Sequence, residues 1–251
     1  MNLDKFYTKQ FIADYYSSVV YARYKNQEYI EPCAGNGAFL RVLPNIKGYD
    51  ILPERADIIQ QDVFKSTYTK DQVVVTNPPF GKNSSMAVKV FNHIASYGVK
   101  AICVIVPKTF KKVSVQNKLN LNYHIVFEQD IISNAYTENG IDIDVPTVFQ
   151  IWEKSKKPRK ITEIQTTSEY FDFVEKGNHD IAVRRVGGKA GQVVKDGSES
   201  STYFLKIYEY KVKVALRLFD YNSVVNDTAG VKSISKHELI VGLHNIIKEL
   251  V

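Results

Sequence analysis

Over the first 153 residues, short apolar runs alternate with apolar positions at helical spacing. That rhythm predicts a largely parallel sheet covered by helices. Tyr29-Ile30-Glu31 reads as the first strand and leads into a glycine-bearing turn, Gly35-Asn36-Gly37, after which Ala38 to Leu43 is expected to open a helix. Lys47 to Asp50 and Ile58 to Asp62 read as the second and third strands. Val73 to Thr76 is a β-branched run that suits a buried strand and stops abruptly at Asn77-Pro78-Pro79. Ser84 or Ser85 is placed to cap the next helix, whose apolar positions include Val88, Phe91, Ile94 and Ala95. Ala101 to Val106, His124 to Glu128 and Thr147 to Trp152 bring the total to about seven strands.

The pattern changes after Trp152. Residues 154–160, KSKKPRK, carry five basic residues and a proline and read as a linker. The remainder contains two glycine-rich patches, Gly187 to Gly191 and Asp196 to Ser198. It also contains a strand candidate at Thr202-Tyr203-Phe204 and a closing helix from His237 to Leu250. The division expected is therefore an α/β unit over 1–153 and a small α+β extension over 154–251. Neither an internal repeat nor a low-complexity tract is visible. The net charge of +6 falls unevenly on these two parts, with +1 in residues 1–153 and +5 in residues 154–251. A basic tail can attract a polyanion such as nucleic acid, or can simply be a solvated lysine-rich surface.

Other classes drop out. With 44% hydrophobic and 24% charged residues the composition is globular, and no apolar run reaches the length of a membrane span. The start lacks the hydrophobic stretch of a secretory signal. Cys33 and Cys103 form no C-x-x-C pair. A cytoplasmic, reducing setting is expected. No H-E-x-x-H is present, Asp142-x-Asp144 reads as a loop, and no metal site is expected. Gly81-Lys82 lacks the spacing of a phosphate loop, and no G-x-S-x-G of an esterase occurs.

What remains are residues that carry chemistry. The stretch Glu31-Pro32-Cys33-Ala34-Gly35-Asn36-Gly37-Ala38-Phe39 lies where a strand feeds a helix. Its glycines permit a tight turn and close approach of a ligand, although the same turn could be purely structural. Leu40 occupies the third glycine position of the dinucleotide fingerprint, which argues against NAD or FAD. Asp50 ends the second strand, where a carboxylate can accept from both hydroxyls of a ribose. Asp62 follows the third strand and could accept from an adenine amino group, with Val63 and Phe64 packing beside the base. Open α/β sheets bind ligands along this edge.

Asn77-Pro78-Pro79-Phe80 is the sharpest signal. The prolines bar helical geometry and stiffen the loop. The loop can then offer the Asn77 carboxamide oxygen and the Pro78 carbonyl to one planar amino group. Such nitrogen is nearly unreactive because its lone pair is delocalised. Two acceptors at its hydrogens favour a pyramidal nitrogen and stabilise the positive charge that develops as a new bond forms. Phe80 offers a face for stacking a base.

In this order, the motifs resemble the class I S-adenosylmethionine-dependent methyltransferases, in particular the N6-adenine DNA methyltransferases. The resemblance implies a Rossmann-like fold, with EPCAGNG as the cofactor loop, Asp50 as the ribose acid, Asp62 as the adenine contact and NPPF as the catalytic motif. Phe6-Tyr7-Thr8, ahead of a helix at Phe11 to Val20, is similar to the family's N-terminal motif and implies that Tyr7 and Thr8 lie near the methionine end of S-adenosylmethionine. The sequence of motifs matches the gamma arrangement, in which a recognition region comes last. RNA adenine-N6 enzymes share NPPF, protein glutamine-N5 enzymes use a related motif, and Phe80-Gly81-Lys82-Asn83 is similar to the RNA enzymes. An inactive nucleic-acid-binding subunit is the alternative of another class.

The resemblance implies a nucleic-acid partner, DNA ahead of RNA. Lys82, Lys108, Lys111 and Lys112 near the ligand edge, and Arg184, Arg185 and Lys189 by the glycine-rich patch, are the candidate phosphate contacts; a solvated face is the plain alternative for the lysines. The tail is small for a complete recognition domain, so a homodimer or a partner subunit would have to supply further reading surface.

Overall fold

Alternate side chains of the Val73–Thr76 strand enter two different cores, as a strand buried on both faces requires. Val73 and Val75 join one cluster and Val74 the other. Ala101, Cys103 and Ile105 likewise oppose Ile102, Val104 and Val106 along the neighbouring strand. The computed structural model describes residues 6–138, 140–228 and 230–250. It divides into two compact units, 1–162 and 163–251.

The first unit contains, in chain order, β1 (Tyr7–Thr8), α1 (Gln10–Arg23), β2 (Tyr29–Glu31), β3 (Lys47–Asp50), β4 (Ile59–Gln60), β5 (Val73–Thr76), α2 (Ser85–Ser96) and β6 (Ala101–Pro107). There follow α3 (Val113–Gln116), β7 (Tyr123–Asp130), β8 (Tyr136–Glu138), β9 (Ile141–Ile143) and β10 (Thr147–Lys154). Seven strands form one sheet in the order β4-β3-β2-β5-β6-β10-β7. All neighbours are parallel except β10, which runs antiparallel to both β6 and β7. This is a Rossmann-like, mostly parallel α/β sheet. Strand order reverses at β2, which has β3 on one side and β5 on the other, so a crevice opens where their carboxyl ends meet. A second small sheet, β1-β8-β9, escapes the periodicity because its strands have only two or three residues.

Several local expectations change. Residues 38–43 do not open an α-helix; Ala38–Arg41 makes one 3-10 turn. Pro44 and the left-handed Asn45 (φ 57°) follow too soon for a longer helix. The third strand is only Ile59–Gln60, and Asp62 instead caps a 3-10 turn over Val63–Lys65. Ser84 occupies the cap position of α2 in left-handed geometry and makes no cap bond; its hydroxyl pairs with Thr109 Oγ1 at 2.6 Å. Two α2 amides, of Met86 and Ala87, reach the Phe80 carbonyl at 3.1 and 3.3 Å.

The expected linker is not free either. Ser155 N donates to Asn122 O (2.7 Å), Arg159 N to Leu121 O (2.7 Å), and Thr162 pairs with the Asn117 side chain through both its backbone groups. The first unit therefore extends to residue 162 and takes KSKKPRK with it.

The second unit has strands β11 (Phe171–Val174), β12 (Ile181–Arg184), β13 (Val193–Val194) and β14 (Thr202–Ile207), all antiparallel in the order β11-β14-β12-β13. Helices α4 (Lys211–Leu218), α5 (Asn222–Val225) and α6 (Lys236–Glu249) complete its core with Phe171, Val183, Leu205, Leu239 and Leu243. A capping box starts α6: Ser235 Oγ accepts from Glu238 N, and the Glu238 carboxylate accepts from Ser235 N.

Candidate active site

A cavity of about 250 Å³ lies at the carboxyl ends of β2, β3 and β5. Of the expected site residues, Tyr7, Thr8, Glu31, Cys33, Gly35, Asn36, Phe39, Asp50, Asp62, Val63, Phe64, Asn77, Pro78, Pro79 and Phe80 all line it. Gly37 does not line it. It turns the loop instead, at φ 76° following Gly35 at φ 51°, a backbone that other residues adopt only under strain.

The glycine turn is fastened to the end of β3. Asp50 accepts from Gly35 N at 2.7 Å through one oxygen and from Leu52 N at 2.8 Å through the other. Arg55 Nη1 donates to Gly37 O at 3.2 Å while its fork grips Asp57. From the other side, the Tyr7 ring packs against Gly35, and its hydroxyl donates to Glu54. Asp62 accepts from Phe64 N at 2.9 Å, which holds the half-exposed Phe64 ring at the cavity wall.

Glu31 is the unusual group. It is 2% exposed, and its Oε2 has no hydrogen-bond partner among the described residues. Burial, and secondarily the neighbouring Asp50 charge, raises its carboxyl well above the ordinary range, against the pull of Arg55. Burial also pushes the Cys33 thiol up to about 12, so it stays protonated.

Asn77 is held by its nitrogen. Its Nδ2 donates to Phe6 O and Thr8 Oγ1, both at 3.1 Å. Both amide hydrogens are thus used within the protein, which assigns the orientation of the carboxamide. The Oδ1 atom accepts no hydrogen bond among the described residues. Phe80 is buried, with its ring 5.8 Å from that of Phe6.

None of the first unit's candidate phosphate contacts lines the cavity. Lys108 and Lys111 are both engaged by Asp130, at 2.8 and 3.1 Å. Although burial of Asp130 opposes it, hydrogen bonds from these two lysines hold its carboxyl below the usual range. Lys82 is exposed and Lys112 half-buried, neither lining the cavity. In the second unit, Arg184 donates to Ser201 and Thr202, Arg185 lies over the Tyr203 ring at 5.6 Å, and Lys189 is exposed.

Sequence reasoning missed Ile51, Leu52, Glu54 and Met86 in the lining. The first two had a readable signal, since two large apolar residues directly follow a strand-end acid. Glu54 had none, because its role depends on the distant Tyr7, and Met86 reaches the lining from the first turn of α2.

No protein-family model matches the chain, and no curated protein matches its sequence. Solved structures do resemble it. A Pyrococcus horikoshii protein provisionally assigned as an RNA methyltransferase shares 14% identity at TM-score 0.48, over 61% of this chain and 89% of that one. Magnesium protoporphyrin IX methyltransferase from Synechocystis, solved with bound S-adenosylmethionine, shares 12% at TM-score 0.42, over 58% and 79%. A tRNA m1G37 methyltransferase from M. jannaschii shares 17% at TM-score 0.42, over 61% and 52%. These are similarities of outline only, and the functional reading rests on the residues of the cavity.

Proposed function

We propose that this chain is an S-adenosylmethionine-dependent methyltransferase acting on the N6 amino group of adenine in nucleic acid, with DNA ahead of RNA on the order of its motifs. The observation that carries the reading is the fixed Asn77 carboxamide. With both hydrogens given to Phe6 O and Thr8 Oγ1, Asn77 can meet a substrate only as an acceptor. The Pro78 carbonyl is an acceptor as well. A pair of acceptors suits a nitrogen that carries two hydrogens, and suits a hydroxyl or an unprotonated ring nitrogen poorly.

The residues of the cavity fit the cofactor. Glu31 keeps a buried oxygen without a partner, which a cationic group such as the methionine ammonium would satisfy. The glycine turn brings backbone close to the cavity without side chains in the way, and Asp50 and Asp62 supply acids at the ends of successive strands for ribose and adenine. Ile51, Leu52 and Phe64 add apolar wall for the base. When bound, the cofactor supplies a methyl group on a positively charged sulfur, which keeps the electron pair of the broken bond.

The protein's own part is positioning and electrostatics. An adenine turned out of its stack would lie against Phe80. Its amino hydrogens would be held by Asn77 Oδ1 and Pro78 O, which steady the charge arising on nitrogen. The extra proton leaves to solvent after transfer, so no strong base is needed.

Incubation with labelled S-adenosylmethionine and parallel DNA, RNA and protein substrates tests the reading. N6-methyladenine in the nucleic-acid digest is the expected product. Label on glutamine, or none on any substrate, would overturn it.

A further inference from the structure

The net charge of the chain is concentrated in a place its linear order conceals. Residues 163–251 carry 12 basic and 12 acidic residues. Residues 1–153 carry +1, so the +6 resides almost wholly in the segment 154–160. That segment is a fixed ribbon on the first unit. Its backbone is bonded to Asn122 and Leu121, and the Lys157 carbonyl lies 2.8 Å from His124 Nε2. Arg159 is the internal pin: its guanidinium donates to the carbonyls of Tyr123, Gln116 and Leu119 and lies 5.1 Å over the buried Trp152. Lys154, Lys156, Lys157 and Lys160 are exposed, as is Lys100, whose carbonyl accepts from Lys154 N. None of these five lysines has an ion-pair partner among the described residues. Lys108 and Lys111, by contrast, share the single carboxylate of Asp130.

We infer that this ribbon is a second nucleic-acid contact, gripping the sugar-phosphate backbone at the end of the sheet opposite the cavity. Glu153 is level with Ala101, the first residue of β6, whereas Thr76, just before Asn77, is level with Val104. About five residues of strand and two inter-strand steps separate Asn77 from the start of the ribbon at Lys154, a span of about 20 Å. A strand of nucleic acid at about 3.4 Å per residue, passing over the surface, needs at least about six steps to join them. A free nucleoside cannot touch both. The polyanion is favoured over other partners because the ribbon gathers four exposed lysines that have no ion-pair partner among the described residues, and because the reaction proposed for the cavity already requires nucleic acid. The inference rests on that reading.

The test compares the native protein with the triple variant Lys156→Ala, Lys157→Ala, Lys160→Ala on a DNA duplex of about 30 base pairs, at several salt concentrations. Loss of three phosphate contacts should weaken binding at least tenfold near 0.1 M salt and lower the slope of log affinity against log salt by about 2.7. Turnover on a saturating adenine trinucleotide should not change, and the corresponding Lys→Arg triple should bind like the native chain. The inference is overturned if native protein methylates the duplex while the alanine triple keeps its affinity and salt slope. It is equally overturned if the variant loses binding to phosphatidylserine vesicles but keeps its grip on DNA. Absence of any nucleic-acid labelling by the native protein overturns the functional reading, a result visible before the variant is made.

Discussion

The two units, residues 1–162 and 163–251, differ in what their chain builds. The first builds a mostly parallel sheet, with a crevice where the strand order reverses at β2. The second is an antiparallel sheet with three helices on a core of its own and carries no net charge. Length and composition would suggest a neutral catalytic part and a basic tail. With the division at residue 162, the part that holds the cavity is the charged one. A charge asymmetry along the sequence is therefore evidence about a surface only once the fold has assigned each residue to a body.

The contrast can be tested where it is strongest. Asn77→Ala should lower methyl transfer about a thousandfold while cofactor affinity, read by calorimetry, stays nearly unchanged. Thr8→Val should lower kcat by about tenfold with little change in KM, and Thr8→Ser should restore it, since only the hydroxyl that orients Asn77 is at issue. Unchanged kcat in Thr8→Val would show that Asn77 needs no such hold.

Arg159→Ala removes a side chain that satisfies three backbone carbonyls and covers Trp152. It should cost the first unit about 2–3 kcal/mol in denaturant unfolding. The neighbouring exposed Lys156 and Lys157 should cost almost nothing. Equal effects would mean that the ribbon is loosely held.

Glu31→Gln should act in opposite directions on the two states of the site. The raised carboxyl of Glu31 favours the folded chain while protonated, and that contribution fades as pH rises through its raised value. At pH 8 the ligand-free variant should therefore melt at or above the native temperature. Its S-adenosylmethionine affinity should fall about tenfold and lose the rise with pH that ionisation of Glu31 provides. A variant that melts lower and binds normally would remove Glu31 from the cofactor's surroundings.

The smallest effect is expected in the second unit. Arg185→Ala with Lys189→Ala should weaken DNA binding about threefold, less than the ribbon triple does. A larger loss would return the main nucleic-acid surface to this unit.

Much of the site was legible because its elements are local. A glycine turn after a strand, an acid at the end of the next, and an asparagine with two prolines after a buried β-branched run are each encoded within a few residues. The sheet edge gathers them without further instruction. Illegible were the contacts that join distant segments: Phe6 and Thr8 on Asn77, Tyr7 on Glu54, Arg159 on the carbonyls around Tyr123. The sixfold run 38–43 misled because its apolar spacing suits a helix, while Pro44 and Asn45 end it after one turn.

By itself the sequence determined the fold class, the strands of the seven-stranded sheet and the chemical repertoire of the cavity, because hydrophobic period and turn chemistry act over a few residues at a time. Only the tertiary structure decided which oxygen of that repertoire is free to act and on which body the charge resides. Those depend on hydrogen bonds closed across some seventy residues at Asn77 and on a seven-residue ribbon pinned by Arg159, and neither leaves a periodic mark in the chain.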